Sequence, residues 1–159
     1  MGISIKPCLV FSDRCEEAIN LYVSMFKNSK VLSMVKSEGG GPIAKGQVMS
    51  ASFLLDGREI VAFDGGPTFT FGEGFSLMVT CQTQDEIDHL WTGLLAGGGE
   101  ESRCGWLKDP FGVSWQIIPS SLVQMLGDAE HGNSAAAMDA MLKMQKLDIA
   151  TLEKAYNRG

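Results

Sequence analysis

The chain has 159 residues, of which 45% are hydrophobic, and its 13 basic and 19 acidic residues give a net charge of −6. This length predicts one domain, or two fused half-domains, with a hydrophobic core large enough to need no disulfides or metals for stability. The acidic balance argues against proteins that bind nucleic-acid phosphates, and against proteins that attach to membranes through a basic surface. We therefore expect no nucleic-acid partner and no membrane partner.

Targeting signals and cysteines bear on where the protein is located. Residues 1–11 lack the charged start, long apolar middle and small-residue cleavage site of a signal peptide. No apolar run reaches the roughly 18–20 residues that a membrane span requires. The four cysteines have no CxxC spacing, which argues against structural zinc and favours reduced thiols. These features predict a cytoplasmic protein.

The first half of the chain predicts a strand, a helix and three further strands. A strand over 3–11 is followed by a helix that Asp13 opens, with Glu16 at the spacing of a capping box. The helix is expected to end near residues 27–29. Strands over 31–37, 47–55 and 59–63 follow, and the Asp56-Gly57 pair between the last two is typical of a hairpin turn.

The second half predicts the same elements in the same order. After a strand over 75–81, Thr83 and Glu86 have capping-box spacing and open a helix that a glycine run at 97–99 ends. Strands are expected over 100–102, 105–108 and 113–118. The last two are joined by Asp109-Pro110-Phe111-Gly112, with Pro and Gly at positions that favour a turn.

This repetition predicts an α+β fold built from two βαβββ modules, about 3–64 and 75–118, within a single domain over residues 1–118. Residues 119–159 have no strand pattern and predict a helical appendix. Its helices are expected over 122–126, 135–147 and 149–156, the last capped by Asp148. Met138, Met141 and Met144 provide an adaptable apolar surface for packing on the sheet or on a partner subunit.

Several segments of the chain resemble the PhnB-like subgroup of the glyoxalase/bleomycin resistance/dioxygenase superfamily, also called the vicinal oxygen chelate superfamily. They are IKPCLVF at 5–11, CEEA at 15–18 with Leu21-Tyr22, CGWLKDPFGVSWQ at 104–116 and AMLKMQKLDI at 140–149. The subgroup often carries the label "3-demethylubiquinone-9 3-methyltransferase-like". The resemblance implies a glyoxalase/bleomycin-resistance-type fold in which two modules enclose a cleft, and a homodimer.

The resemblance also implies positions for a metal site, on the first and last strands of each module. These positions fall near Lys6, near Phe63 or Asp64, near Phe75 or Ser76, and at Gln116. An ammonium group has no lone pair to donate, so at best Asp64 and Gln116 remain as ligands. The two histidines, His89 and His131, lie outside the predicted strands. We therefore expect no metal site and no cofactor.

Polar and aromatic side chains of the expected cleft predict a site for a small, partly apolar molecule. The candidate ligand-binding residues are Lys6, Asp64, Phe69, Phe71, Ser76, Trp106 and Gln116. Lys6 would bind a carboxylate or phosphate of the ligand, or form an ion pair with Asp64. Strand alternation places Trp115 on the face opposite Gln116, where it would pack against a helix. No catalytic residue is assigned.

The sequence thus predicts a cytosolic small-molecule-binding protein of the PhnB-like subgroup, and leaves open whether it catalyses a reaction. A metal-dependent lyase, isomerase or dioxygenase on the same fold, using Asp64 and Gln116, is the alternative. Methyl transfer is disfavoured because common S-adenosylmethionine enzymes use a Rossmann-like parallel sheet with a Gly-rich first turn. A further alternative is a scaffold whose Met-rich tail recruits a protein partner.

Overall fold

The computed structural model describes residues 2–158 and has eight strands and five helices within them. The strands are β1 (Cys8–Phe11), β2 (Lys30–Lys36), β3 (Val48–Leu55), β4 (Arg58–Asp64), β5 (Ser76–Cys81), β6 (Glu100–Glu101), β7 (Trp106–Lys108) and β8 (Ser114–Pro119). The helices are α1 (Cys15–Met25), α2 (Gln84–Leu95), α3 (Ser120–Gly127), α4 (Ser134–Leu142) and α5 (Ile149–Asn157). The chain forms two compact units, with the boundary between Phe71 and Gly72.

Each unit contains one four-stranded mixed sheet, and the two sheets have the same topology. The first has the order β1-β4-β3-β2 and the second the order β5-β8-β7-β6. In each, the first strand runs parallel to the last strand of its module and the other pairs are antiparallel. The predicted α+β fold of two βαβββ modules is confirmed.

Helix α1 begins differently from the prediction. Its N-cap is Arg14, whose side chain makes no capping hydrogen bond, so the capping box predicted for Asp13 and Glu16 is wrong. Instead, the backbone N–H of Cys15 donates to Oδ1 of Asp64, a residue 49 positions away at the end of β4. A carboxylate at a helix N-terminus satisfies an unpaired N–H and interacts favourably with the helix dipole.

Strand β1 is shorter than predicted, since it begins at Cys8 rather than at residue 3. It pairs with β4, in parallel register from Cys8 opposite Val61 to Phe11 opposite Asp64. Pro7 precedes this register and has no N–H to donate to the ladder. The alternating residues Ile3 and Ile5 are 98% and 93% exposed, so the apolar pattern of this segment does not become a strand.

Two local predictions are confirmed by backbone geometry. Asp56 and Gly57 both have positive φ, 47° and 75°, as the two-residue turn between antiparallel strands β3 and β4 requires. Helix α2 has the complete capping box: Glu86 N–H donates to Thr83 Oγ1, and the Glu86 carboxylate accepts from the Thr83 N–H. The predicted apolar stripe of α2 lies on the sheet, and His89 is exposed.

Helices α3, α4 and α5 belong to the second compact unit and enclose a small hydrophobic cluster. Helix α4 ends at Leu142, five residues earlier than predicted. The carbonyls of Met144 and Gln145 accept hydrogen bonds from the N–H groups of Cys104 and Gly105, at 2.9 and 2.8 Å, and so are not part of a helical ladder. Asp148 caps α5 through the Thr151 N–H, as expected. The division into 1–118 and 119–159 stays a prediction.

Candidate functional site

One face of the second sheet brings together three of the candidate ligand-binding residues, Ser76, Trp106 and Gln116. Along β8, Trp115 and Ile117 are buried on the side that α2 covers, whereas Gln116 points to the opposite side and is half-buried. The β5 and β7 residues opposite Gln116 are Met78 and Trp106. Residues directly opposite across strands share a face, so Met78, Gln116 and Trp106 form one row across the sheet.

A second, more polar row lies beside the first on this face. It contains Ser76 on β5, Ser114 on β8, Lys108 on β7 and Glu100 on β6. The two rows are linked by a hydrogen bond from Gln116 Nε2 to Ser76 Oγ, at 2.9 Å. This bond directs the Gln116 amide along the sheet surface, and its carbonyl oxygen is a group that can accept a hydrogen bond from a ligand.

The Lys108 ammonium provides positive charge at this face. Its Nζ lies 3.0 Å from Oε1 of Glu73, in the segment before β5, and the side chains are 36% and 72% exposed. The hydrogen bond from Lys108 holds the pKa of the Glu73 carboxyl below its usual value. The row therefore contains a partly exposed cation that already binds a carboxylate.

Asp109 holds the hairpin on which this arrangement depends. It is 3% exposed, and its Oδ2 accepts a hydrogen bond from Trp115 Nε1 at 2.9 Å. Its Oδ1 accepts from the N–H groups of Phe111 and Val113, at 2.9 and 3.0 Å. The side chain thus closes the turn between β7 and β8 and sets the register that places Trp106 opposite Gln116.

In the first unit, Lys6 forms an ion pair with Glu59 rather than with Asp64. Lys6 Nζ lies 2.8 Å from Glu59 Oε2, and Ser52 Oγ donates to Glu59 Oε1 at 2.6 Å. These two hydrogen bonds, with the one from Lys6 the larger cause, hold the pKa of Glu59 below its usual value. Lys6 therefore belongs to a surface cluster with Ser52 and Glu59, outside strand β1.

Asp64 serves the scaffold of the first unit. The residue is 2% exposed, and its carboxylate accepts N–H groups from Cys15 at 2.9 Å and from Val48 at 2.8 Å. It pairs in register with the buried Phe11, on the side of the sheet that packs against α1. Both carboxylate oxygens hold the backbone together, so the proposed site does not include Asp64.

The aromatic residues of the segment after β4 differ in their surroundings. Phe71 is half-buried and packs edge-to-face on the core residue Phe11, with ring centroids 5.1 Å apart. Phe69 is 45% exposed and lies beside Gly65, close enough that a side chain larger than glycine at 65 would contact its ring. Phe71 thus has a packing role, and Phe69 keeps an exposed surface within the first unit.

The side chains at the positions of the superfamily's metal ligands do not fit a divalent cation. Lys6 is a cation, both oxygens of Asp64 accept backbone N–H groups, and the Gln116 amide donates to Ser76. Among residues 2–158, no three His, Cys, Asp or Glu side chains come together in a group that could hold a metal ion.

The structure therefore brings Ser76, Trp106 and Gln116 together, and places Lys6, Asp64, Phe69 and Phe71 in the first unit. Sequence reasoning did not single out Lys108 or Met78 as functional. The signal was present, since Trp106 and Lys108 are two residues apart in a strand and so share a face. None of the helices in the described residues is long and apolar enough to cross a membrane.

The chain is similar in sequence to the family described as 3-demethylubiquinone-9 3-methyltransferase, which matches residues 3–118. Among solved structures, it resembles a PhnB protein from Bacillus cereus, with 35% identity and a TM-score of 0.69, over 74% of this chain and 100% of that chain. A Pseudomonas aeruginosa protein shares 22% identity and a TM-score of 0.61, over 74% and 98% of the two chains.

A fosfomycin resistance protein, FosX, from Listeria monocytogenes, solved with Mn(II) and sulfate, has the same fold. It shares 15% identity and a TM-score of 0.55, over 79% of this chain and 98% of that chain. No curated protein matches the chain in sequence.

Proposed function

This chain belongs to the 3-demethylubiquinone-9 3-methyltransferase family, within the glyoxalase/bleomycin resistance superfamily, and we propose that it is a PhnB-like small-molecule-binding protein without the superfamily's metal site. The proposal places it in the cytoplasm as a homodimer. Its ligand is a small, partly apolar compound that binds on the face of the second sheet formed by Ser76, Trp106 and Gln116.

The observation that carries the proposal is the polar pair of Gln116 and Ser76 set beside exposed apolar side chains. Met78 is 64% exposed on the edge strand β5, and Trp106 is partly exposed on the inner strand β7. Ligand sites combine such apolar surface with a few fixed polar groups that orient the ligand. Trp106 provides the large aromatic surface on which a planar group can stack.

The metal-free part of the proposal is supported by the donor set. Lys6 and the hydrogen-bonded Asp64, Ser76 and Gln116 stand where the superfamily's ligands are expected, and these groups are poor ligands for zinc, nickel, manganese or iron. Methyl transfer has less support, since the two mixed four-stranded sheets differ from the parallel sheet of the common S-adenosylmethionine enzymes.

Binding is tested with N-phenyl-1-naphthylamine, a neutral planar dye whose fluorescence rises in apolar surroundings. We expect saturable binding to the wild-type protein. Trp106→Ala and Met78→Ala should each weaken it, Trp106→Ala by about threefold to tenfold, because an aromatic stack contributes about 0.5–1.5 kcal/mol beyond its buried area. Val123→Ala is the matched control, since Val123 is a 75% exposed apolar residue of the same unit, on α3.

The result that contradicts the proposal is dye binding that is absent, or equally strong in the Trp106, Met78 and Val123 variants. Elemental analysis of untagged protein purified without chelator tests the metal-free part. Stoichiometric zinc, nickel, manganese or iron would instead favour a metal-dependent lyase, isomerase or dioxygenase, and metal added back to the purified protein checks for a weak site. Light scattering tests the homodimer.

A further inference from the structure

We propose that the ligand is an organic anion with an aromatic body, and that its charged group takes the place of the Glu73 carboxylate on Lys108. The inference rests on the small-molecule binding proposed above and specifies the ligand's chemistry. Glu73 is then an internal competitor that occupies the cation until a ligand arrives.

The arrangement of Trp106 and Lys108 carries the first step. The two residues are separated by one residue of β7, with Leu107 between them buried at 1% exposure on the opposite side. Alternate residues of a strand lie on the same face at a spacing of about 6.5–7 Å. A ligand whose aryl group stacks on Trp106 would therefore bring an acidic group to the Lys108 ammonium. This group, a carboxylate, sulfonate or phosphonate, would be attached one or two bonds from the aryl ring.

Neighbouring side chains favour an anion at the same place. Ser76 and Ser114 share this row with Lys108; Ser114 is 2% exposed, so the half-buried Ser76 is the hydroxyl-bearing residue of the row that a ligand can reach. Hydroxyl groups donate hydrogen bonds to anionic oxygens, and such charge-assisted bonds are stronger than neutral ones. The Gln116 amide, bonded to Ser76, closes this row on the side of Trp106.

The contact with Glu73 shows that the Lys108 ammonium can bind a carboxylate. Because the Glu73 side chain is largely exposed, a ligand carboxylate can replace it. Glu73 is 72% exposed and lies outside any strand, in the segment between β4 and β5. Exposed ion pairs contribute little to stability. Breaking the pair of Lys108 and Glu73 therefore costs little free energy and opposes ligand binding only weakly. Glu100, opposite Lys108 on β6, is the acidic residue of the row and repels an anion from the sheet edge. This places the anion on the β8 side of Lys108 rather than toward β6.

A pair of dyes with the same aromatic body tests the proposal. 8-Anilinonaphthalene-1-sulfonate carries a sulfonate, and N-phenyl-1-naphthylamine is its neutral counterpart. For each dye, binding is measured with and without Trp106→Ala, and only the difference is attributed to this site. Lys108→Met should weaken this part for the sulfonate about threefold to tenfold and leave the neutral dye unchanged. Glu73→Gln should strengthen it for the sulfonate about threefold, because the competing carboxylate is gone.

Lys146 and Asp88 provide the matched controls. They form an ion pair in the same unit, 2.7 Å apart and with side chains 40% and 45% exposed, away from this face. Lys146→Met and Asp88→Asn make the same changes in net charge, so they measure the long-range effect of charge alone. Circular dichroism confirms that each variant is folded.

The outcomes separate this inference from the proposed function. If the neutral dye binds in a Trp106-dependent way but Lys108→Met affects the sulfonate no more than Lys146→Met does, the inference is overturned and the proposed function stands. If neither dye shows Trp106-dependent binding, both are overturned. An unchanged sulfonate affinity in Glu73→Gln would reject the role of Glu73 as competitor while leaving Lys108 as the anion-binding group.

Discussion

The carboxylate of Asp64, the last residue of β4, accepts the backbone N–H of Cys15, the first residue of α1, across 2.9 Å. Through its other oxygen, Asp64 accepts the N–H of Val48 at the start of β3, at 2.8 Å. One buried side chain thereby joins the beginning of a helix to two strands. The N-cap residue Arg14 makes no capping hydrogen bond with its side chain, so the position of this helix in the first unit depends on Asp64.

We expect Asp64→Ala to destabilise the first unit strongly. The substitution leaves two buried N–H groups without acceptors, and each such group costs about 1–3 kcal/mol. Asp64→Asn should cost less, because its amide oxygen can still accept one of the two N–H groups. Urea denaturation followed by circular dichroism measures the free energy of unfolding of each variant.

Asp13→Asn is the control for Asp64, since Asp13 is exposed and makes only a side-chain contact with Ser12. Its free energy of unfolding should stay within about 0.5 kcal/mol of the wild type. Equal losses in the Asp13 and Asp64 variants would show that α1 is capped by its own loop after all.

The capping box of α2 predicts a smaller effect. Thr83→Ala removes the acceptor of the Glu86 N–H and should lower the free energy of unfolding by about 0.5–2 kcal/mol. Thr92→Ala on the same helix is the comparison. Thr92 is exposed to solvent and lies within the helix rather than at its N-terminus, and alanine has the higher helix propensity at such a position. A loss in Thr92→Ala as large as that in Thr83→Ala would argue against a specific capping contribution.

Gln84 joins α2 to the beginning of α5. Its Nε2 donates to the Leu147 carbonyl at 3.0 Å, and its Oε1 accepts the Ile149 N–H at 2.8 Å. Gln84→Ala leaves both backbone groups without these partners, and we expect a loss of about 1–3 kcal/mol in the free energy of unfolding. Amide hydrogen exchange should report faster exchange at Ile149.

Gln124→Ala, at an exposed position of α3, is the matched control for Gln84. It should change neither the free energy of unfolding beyond about 0.5 kcal/mol nor the exchange at Ile149. Unchanged exchange at Ile149 in Gln84→Ala would show that the start of α5 is held in place without this side chain.

Alkaline pH should destabilise the protein through its buried thiols. Burial, with a smaller effect of nearby Asp64, raises the pKa of Cys15 to about 12, and burial raises that of Cys81 to about 11. An unfolded thiol has a pKa of about 8.5, so above that pH the unfolded chain releases protons that the folded protein retains. The free energy of unfolding therefore falls as pH rises from about 8.5 towards the folded pKa values.

Two measurements check the thiol prediction. Cys15→Ala should reduce the decline in stability above pH 9 by up to about 1.4 kcal/mol per pH unit, the contribution of one proton. At pH 8, iodoacetamide should modify the exposed Cys8 well before Cys15 and Cys81, which are 0% and 2% exposed. Rapid modification of Cys15 in the folded protein would contradict its burial at the start of α1.

Strand alternation alone predicts only part of the candidate site. It correctly separates Trp115 from Gln116, since each strand residue faces opposite to the next. It does not show which residues of different strands stand opposite one another, because that depends on register. The row of Met78, Gln116 and Trp106 follows from two strand pairings, one parallel and one antiparallel, that the chain brings together over about 40 residues.

Features that depend on residues close together in the chain could be predicted before the fold was known. The Thr83–Glu86 capping box, the Asp56-Gly57 turn and the apolar stripe of α2 depend on residues within a few positions of one another, and the repeated βαβββ order is the succession of such local patterns. Local patterns could not predict the partners of Asp64, Lys6 and Lys108, the start of β1 or the end of α4, which depend on the packing of the whole chain. The physical reason is that charged side chains and backbone N–H groups bond to whichever suitable partner the packed chain places within about 3 Å, however distant it is in sequence.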